Sequence, residues 1–453
     1  MAATGATAAE LDLSPEQLTR ARAETPSVQR ALHFNHAGAS PPPEPVLERV
    51  VAHLRREAEV GGYQAADEVA DELAGVYDAI AALLGAARDE VALVEHATLA
   101  WTKAISSVPL GAGDVVLIAG RAEYAANMVE ILRLCKEKGC SVKVAPSDST
   151  GQVPRHGAVG PPGAPGRAHA RAHERRPGEP RGARGRRVPR ARRALPAGRV
   201  PIGGPARARR RQAGLRLPRR HRQEVLARAP WHGLPVRQAF QPGALGEPAL
   251  LDHWAAPLAE DGRSYQLSGT ARRFEFWEGA VASRLGLGVA VRYFLSLGPA
   301  AVEARVVRLA AQLRAGLWAA QVPGLEVVDL GARRCGIVTF HLGAQGPPAA
   351  ELKRALIERG AFVSTSPPAS TALDAQARGL PELLRASVHY VNTEEDRGGP
   401  PRRVGVRVRA PLARLALVTR ARAGRAPPTA RGKSRGRPRA PKLLPRGSKR
   451  VHD

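Results

Sequence analysis

Between residues 154 and 240 the chain carries 23 Arg, 3 Glu and no Lys. Pro, Gly and Ala fill most of the other positions. Neither a 3.6-residue nor a 2-residue apolar period persists from 154 to about 245. Such a segment cannot line up an apolar face, so burial cannot offset the entropy of ordering its backbone. It is expected to be disordered and basic. Any core must be assembled from the stretches on either side.

Charge divides along the same lines. The formal net charge is +28. The central block holds +20 of it, and residues 397–453, with 18 Lys plus Arg against one Asp, hold +17. Subtracting both leaves −9 on the remainder. The polyanion binding suggested by the total charge is therefore confined to two segments and reads as non-specific attraction for nucleic acid. The three Cys, at 135, 140 and 335, are too few for a disulfide framework and fit cytosolic use. Cys135 and Cys140 have no His or Cys neighbours in sequence, so no metal site is expected. The N-terminal stretch has no basic n-region and no long apolar run, so neither a signal peptide nor a membrane span is expected. Cytoplasmic residence follows as an expectation.

The flanking stretches read as alternating helices and strands. Ser14-Pro15-Glu16-Gln17 has the form of a helix start, with a Ser cap, Pro in the first turn and Gln in the capping-box position. Val46, Leu47, Val50, Val51, Leu54 and Ala58 predict a first amphipathic helix. Val69, Leu73, Val76, Ile80, Leu83 and Leu84 predict a second, stopped at Gly85. EVALV (90–94), DVVLIA (114–119) and SVKVA (141–145) read as strands, separated by helices from about 98 and 124. Past 250, two long helices are predicted, FEFWEGAVASRLGLGVAVRYFLSLG and VEARVVRLAAQLRAGLWA. LEVVDL, CGIVTFHL and AFVS are read as strands, and AAELKRALIERG as a helix. At 453 residues the chain can hold a large core or two domains. The alternation implies an α/β layered fold with a mostly parallel sheet, plus a small C-terminal α/β domain.

Six phrases in these stretches, in this order and spacing, resemble the class V aminotransferase family: FNHAGA (34–39), EHATLAW (95–101), AEYAANMVEIL (122–132), ARRFEFWEG (271–279), GARRCGIVTF (331–340) and RASVHYVNTEE (385–395). The closest resemblance is to its isopenicillin N epimerase-like branch, beside the cysteine desulfurases. The resemblance implies a fold-type I PLP-dependent transferase, with pyridoxal phosphate (PLP) as cofactor, an amino acid as substrate and a homodimer as the assembly. The domains then read as an N-terminal segment (1–30), the first part of the PLP-binding large domain (31–153), the Arg/Pro-rich block (154–245), the end of the large domain with the small C-terminal domain (250–396), and a basic tail (397–453). The centre and the tail are expected to be disordered.

The family's chemistry needs a Lys for the Schiff base and an Asp beside the pyridine nitrogen. Neither is visible in the central block. The genetic code accounts for this. With GC-rich codons read one base later, RHRQEVLARAPWHGLPV (220–236) becomes ATGKKFLRGPRGTGFLY, which is similar to the family's Schiff-base Lys motif. In the same shifted frame HERRPGEPR becomes TNGGLVNP, and ALPAGRVPIGG becomes PYLLDACQSVG, which contains the acid. Third bases are free in this reading, whereas the first two of most codons are fixed by the protein sequence. The block from about 154 to 245 thus reads as a frame-shifted stretch between two compensating indels. The codons of Glu224 and Val225 would carry the Lys, and those of Gly198 and Arg199 the Asp. The tail admits a similar but less specific shift, from DRGGPPRRVG to TAAALLAAL.

The resemblance assigns roles to the surviving residues. Ala97 and Thr98, at a helix start, would hold the PLP phosphate; Thr98 reads equally as a simple N-cap. Tyr124 would stack on the pyridine face, or be a core Tyr. Asn127, one turn on, would face the same pocket. Asn35 and His36 would line the substrate side, with a loop role open for His36. Arg385 would grip the substrate carboxylate, the alternative being a surface Arg at a strand start. Glu275 and Trp277 read as pocket wall, dimer edge or core, and Cys335 as structural. The loop FVSTSPPASTALDAQARGLPELL has no Cys, which argues against desulfuration through a Cys persulfide. The expected activity is transamination, epimerisation or β-elimination on an amino acid, absent from the chain as written because the Lys is missing. The rival reading is a basic nucleic-acid-binding protein on a degenerate enzyme scaffold.

Overall fold

A computed structural model describes residues 12–118, 120–148, 245–331 and 333–394. The expectations for 154–244, including those on the codons of Gly198, Arg199, Glu224 and Val225, lie outside the described residues, as does the tail from 397. The first helix, α1 (Pro15–Ala23), starts as the sequence predicts. Ser14 Oγ accepts from Gln17 N at 3.2 Å, and Gln17 Oε1 accepts from Ser14 N at 2.9 Å. One turn, α2 (Ser27–Arg30), leads into the short strand β1 (Leu32–His33), and a second turn, α3 (His36–Ala39), follows it. Helices α4 (Glu44–Val60), α5 (Gly62–Asp67) and α6 (Ala70–Leu84) come next. Gly85 caps α6 at φ 61°, a conformation that costs glycine nothing.

A separate unit then forms from α7 (Ala97–Ser106), β2 (Val115–Ile118), α8 (Ala125–Lys138) and β3 (Ser141–Val144). Strands β2 and β3 pair in parallel, from Val115 opposite Ser141 to Ile118 opposite Val144. Trp101 and Ile105 of α7 meet Val116 and Ile118 of β2 and Ile131, Leu134 and Cys135 of α8 in one buried cluster. Of the predicted strand EVALV, only Val94 carries a β-bridge among the described residues. Val91–Val94 is an extended, wholly buried segment. A side chain instead of a ladder satisfies Leu93 N, which donates to Glu275 Oε1 at 2.6 Å.

Beyond residue 245 the long helix predicted from FEFWEG onward begins only at Val281. Ala271–Phe274 is a short 3-10 turn, and Glu275–Ala280 is non-helical. Helix α9 (Val281–Leu297) turns at Gly298 into α10 (Pro299–Ala319). No single helix among the described residues is long and apolar enough to cross a membrane. The C-terminal unit adds β4 (Glu326–Val327), β5 (Ile337–His341), α11 (Ala349–Ile357), β6 (Ala361–Phe362), β7 (Ser364–Ser366), α12 (Ala372–Arg378) and β8 (Leu383–Ser387). Its sheet runs β4-β5-β8-β7 and is antiparallel throughout. Burial alternates along β5, as one covered face requires. LEVVDL keeps only two strand residues because Asp329 turns inward, accepting from Arg314 Nε at 2.7 Å and Thr339 N at 2.9 Å.

The main core joins the two flanking stretches. Val76, Tyr77 and Ile80 of α6 pack with Leu287, Val291 and Phe294 of α9, and α10 carries the core on to Val338 and Phe340 of β5. Close approach of α6 and α9 depends on Gly288, where a Cβ would lie 2.7 Å from Val76 Cγ2. A Cβ on Gly316, exposed on α10, would meet nothing within 4 Å. These two glycines should respond oppositely to alanine. Gly316→Ala gains roughly 0.5–1 kcal/mol of helix propensity. Gly288→Ala has the same gain, but overpacking costs about 1–3 kcal/mol, so the net effect is destabilising. Urea unfolding of the two variants checks the signs.

Candidate active site

Parallel pairing of β1 with β6 puts Leu32 opposite Ala361 and His33 opposite Phe362. The chain then crosses to β8: Ser387 N donates to Phe34 O at 2.6 Å, and Ala37 N donates to Ser387 Oγ at 2.8 Å. This crossing sets Asn35 beside Arg385. Gly38 lies between them, and a Cβ there would fall 2.5 Å from Asn35 Oδ1 and 2.8 Å from Arg385 Nη2. A side chain at this position would have to displace the amide, the guanidinium or both. Arg385 is not at a strand start. It is the middle residue of β8, paired with Thr339 of β5 and Ser364 of β7, and half-buried. Asn35 Oδ1 and Arg385 Nε are buried and have no hydrogen-bond partner among the described residues. A buried polar atom left without a partner costs about 1–3 kcal/mol. Gly38 and Ser387 were not singled out from the sequence. The signal was there in HAGA and RAS: a glycine two residues past the substrate-side pair, and a serine two residues past the arginine on one strand face.

His36 stands against this pair but faces inward. Its ring stacks on His389 at 4.9 Å between centroids and meets His33 edge-on at 4.6 Å, while Nδ1 lies 2.9 Å from Ser40 Oγ. Burial, then the neighbouring His389 and His33, hold its pKa well below the ordinary 6.5. The imidazole is thus neutral in the fold.

The helix ends hold the other expected residues. Thr98 is exposed at the second position of α7, and it is not the N-cap. His96 takes that place, its Nδ1 accepting from Leu99 N at 3.2 Å. Ala97 and Thr98 therefore present the first turn of α7, where the helix dipole favours an anion. Tyr124 is the N-cap residue of α8 and is 41% exposed, so it is not a core residue. Asn127 is buried, and its amide donates to Glu123 Oε1 at 2.5 Å.

Glu275 is a core residue. Its carboxylate accepts from Leu93 N at 2.6 Å, from the Tyr77 hydroxyl at 3.0 Å and from Arg272 at 3.4 Å. Burial nevertheless pushes its pKa up. Trp277 lies on the surface, edge-on to Trp254 at 5.2 Å. Cys335 accepts from Ile337 N just before β5. Lys103 of α7, fully buried, lies 3.1 Å from the Phe276 ring centroid and 3.5 Å from Glu275 O; burial brings its pKa down to about 8. No group of three or more His, Cys, Asp or Glu among the described residues can hold a metal ion.

Two outcomes follow from these buried groups. Glu275→Leu strands Leu93 N–H and the Tyr77 hydroxyl, and should cost about 2–4 kcal/mol in urea unfolding; Glu275→Gln, which keeps an acceptor, should cost less. His36 binds fewer protons folded than unfolded once pH falls below about 6.5. Stability should be level above that pH and fall beneath it, by at most about 1.4 kcal/mol per pH unit for this one group. Thermal unfolding between pH 8 and 5.5 checks this, and His36→Gln should flatten the acid limb.

The class-V aminotransferase family model matches residues 32–156 and 260–397. No curated protein sequence matches the chain. Among solved structures, the cysteine desulfurase of Thermococcus onnurineus NA1 superposes with TM-score 0.62 at 13% identity, covering 93% of this chain and 100% of that one. Cysteine desulfurase CsdA of Escherichia coli gives 0.62 at 15%, over 89% and 98% of the two chains. The cystine C-S lyase C-DES gives 0.60 at 16%, over 86% and 99%. At these identities the likeness is one of fold, the fold-type I α/β architecture. The cofactor of this family is pyridoxal phosphate, seen in C-DES with glycine covalently attached. With more than half its length matched, the chain belongs to the class V aminotransferase family.

Proposed function

We propose that this chain is an amino-acid-binding PLP enzyme scaffold of the epimerase-like branch that does not turn over as written. One observation carries the substrate half of the reading. Asn35 and Arg385 meet across Gly38 with buried polar atoms left unpartnered. A planar guanidinium suits a carboxylate bound through two parallel hydrogen bonds. The Asn35 amide can donate to the same carboxylate or accept from the adjoining amino group.

The described residues also fit part of the cofactor. The first turn of α7, at Ala97 and Thr98, would hold its phosphate, and the open ring of Tyr124 its pyridine face. When bound, pyridoxal phosphate supplies an aldehyde and an electron-withdrawing ring that acidify the Cα–H of an amino acid. The two groups that would engage that chemistry, a lysine amine and a carboxylate at the ring nitrogen, are not found at matching positions. The central block has no Lys. Among the described residues the fully buried lysine is Lys103, and it is held by the Glu275 carbonyl and the Phe276 ring. No step is therefore assigned to the chain as written. We read the block from about 154 to 245 as frame-shifted, which explains how two intact flanks can surround it.

Purified protein of this sequence, mixed with PLP and treated with borohydride, should show no cofactor fixed stoichiometrically on one lysine. A version with the frame restored between residues 154 and 245 should fix one cofactor per chain, on the second lysine of ATGKK. Peptide mass mapping reads both. Specific fixation by the chain as written would overturn the reading, and resequencing the codons for residues 145–260 tests its genetic half.

A further inference from the structure

We propose that Cys135 and Cys140 form a redox-active dithiol, closing reversibly to a disulfide that staples the end of α8 to the start of β3. The argument starts from the backbone. Helix α8 ends at Gly139, which sits at φ 69°. Cys140 N then donates back to Cys135 O at 3.1 Å. This is the six-residue closure of a Schellman turn, in which the residue after the glycine lies against the residue five before it. A motif that joins the two backbones by one hydrogen bond brings their Cα atoms towards the 4.4–6.8 Å that a disulfide spans. The side chains follow. Cys140 packs against the α7–α8 cluster to which Cys135 belongs. Cysteine at both positions is more than a hydrophobic contact requires, since any small apolar residue would seal the turn.

The two thiols are unequal. Cys135 is buried and Cys140 half-buried. Burial pushes the Cys135 thiol up to about 12, so its thiolate is scarce at neutral pH. Cys140 is then the sulfur that reacts first. The oxidant class is a peroxide. The Cys140 thiolate attacks one oxygen of hydrogen peroxide, the O–O bond breaks, and a sulfenic acid and hydroxide form. The Cys135 sulfur attacks the sulfenic sulfur, gives up its proton, and the S–O bond breaks with loss of water. The two cysteines together lose two electrons and two protons, and peroxide becomes two waters. Cys335, held at β5 by the Ile337 N–H, lies outside this pair and serves as the internal control.

The test uses the full chain and equimolar to tenfold hydrogen peroxide. Of the three thiols, one should remain titratable, and peptide mapping should find Cys135 joined to Cys140. Cys140→Ser should lose the bond and leave Cys135 reduced. Cys135→Ala should leave Cys140 as a sulfenic acid trappable by dimedone. Equilibration with glutathione buffers separates a folded site from chance proximity in the chain. The native exchange constant should exceed the one measured in guanidinium at least about tenfold, a difference of roughly 30 mV for this two-electron couple. Equal constants, mixed bonds to Cys335, or over-oxidation of Cys140 with Cys135 still reduced would each overturn the proposal.

Discussion

The crossing of residues 32–37 over the end of β8 is the constraint on which the site depends. Phe34 O, Ala37 N and His33 O are held by Ser387 N, Ser387 Oγ and Asn392 Nδ2 respectively. These bonds join residues some 350 positions apart. The entropy of closing so long a loop grows only logarithmically, by about 0.6 kcal/mol per doubling of length. A long, poorly patterned stretch between the partners is therefore tolerated by the equilibrium, while long-range closure is slow. Asn35 and Arg385 owe their proximity to this closure, as does the histidine stack behind them.

Buried charge locks the crossing to the helical layer. Arg305 of α10 donates to Tyr390 O at 2.8 Å and Asn392 O at 2.7 Å. Arg314, further along the same helix, is satisfied by Asp329 and the carbonyls of Cys335 and Ile337. Desolvating a charge costs several kcal/mol, and it is retained only where donors or acceptors surround it. Glu275 and Lys103 show the two sides of that balance. Glu275 has a backbone N–H, a hydroxyl and a guanidinium, yet burial is still the larger influence on its carboxyl. Lys103 has a carbonyl and an aromatic face, and its ammonium is correspondingly easier to deprotonate.

Local chemistry made parts of this fold readable. The capping box at Ser14 and the stop at Gly85 each need only neighbours in sequence, so their patterns were sufficient. The misreadings share one cause. EVALV has the composition of a strand, but among the described residues only Val94 carries a bridge, and Leu93 N donates to a carboxylate 182 positions away. FEFWEG has helical spacing, but Glu275 is pulled into the core and Trp277 N is held by Asp252 at 2.7 Å, so the helix cannot start before Val281. His96 took the cap position that Thr98 could have filled, because its ring nitrogen reaches Leu99 N.

By itself the sequence determined the α/β alternation, the family and the confinement of the positive charge to two blocks, because each depends on order, period or composition along the chain. It also carried the types of residue that a carboxylate site requires. Tertiary structure alone decided that Arg385 is an interior strand residue, that Gly38 is the gap through which it meets Asn35, and that Glu275 belongs to the core. Those outcomes depend on which distant groups remain to satisfy a buried donor or acceptor, and that choice is made only when the two flanks pack.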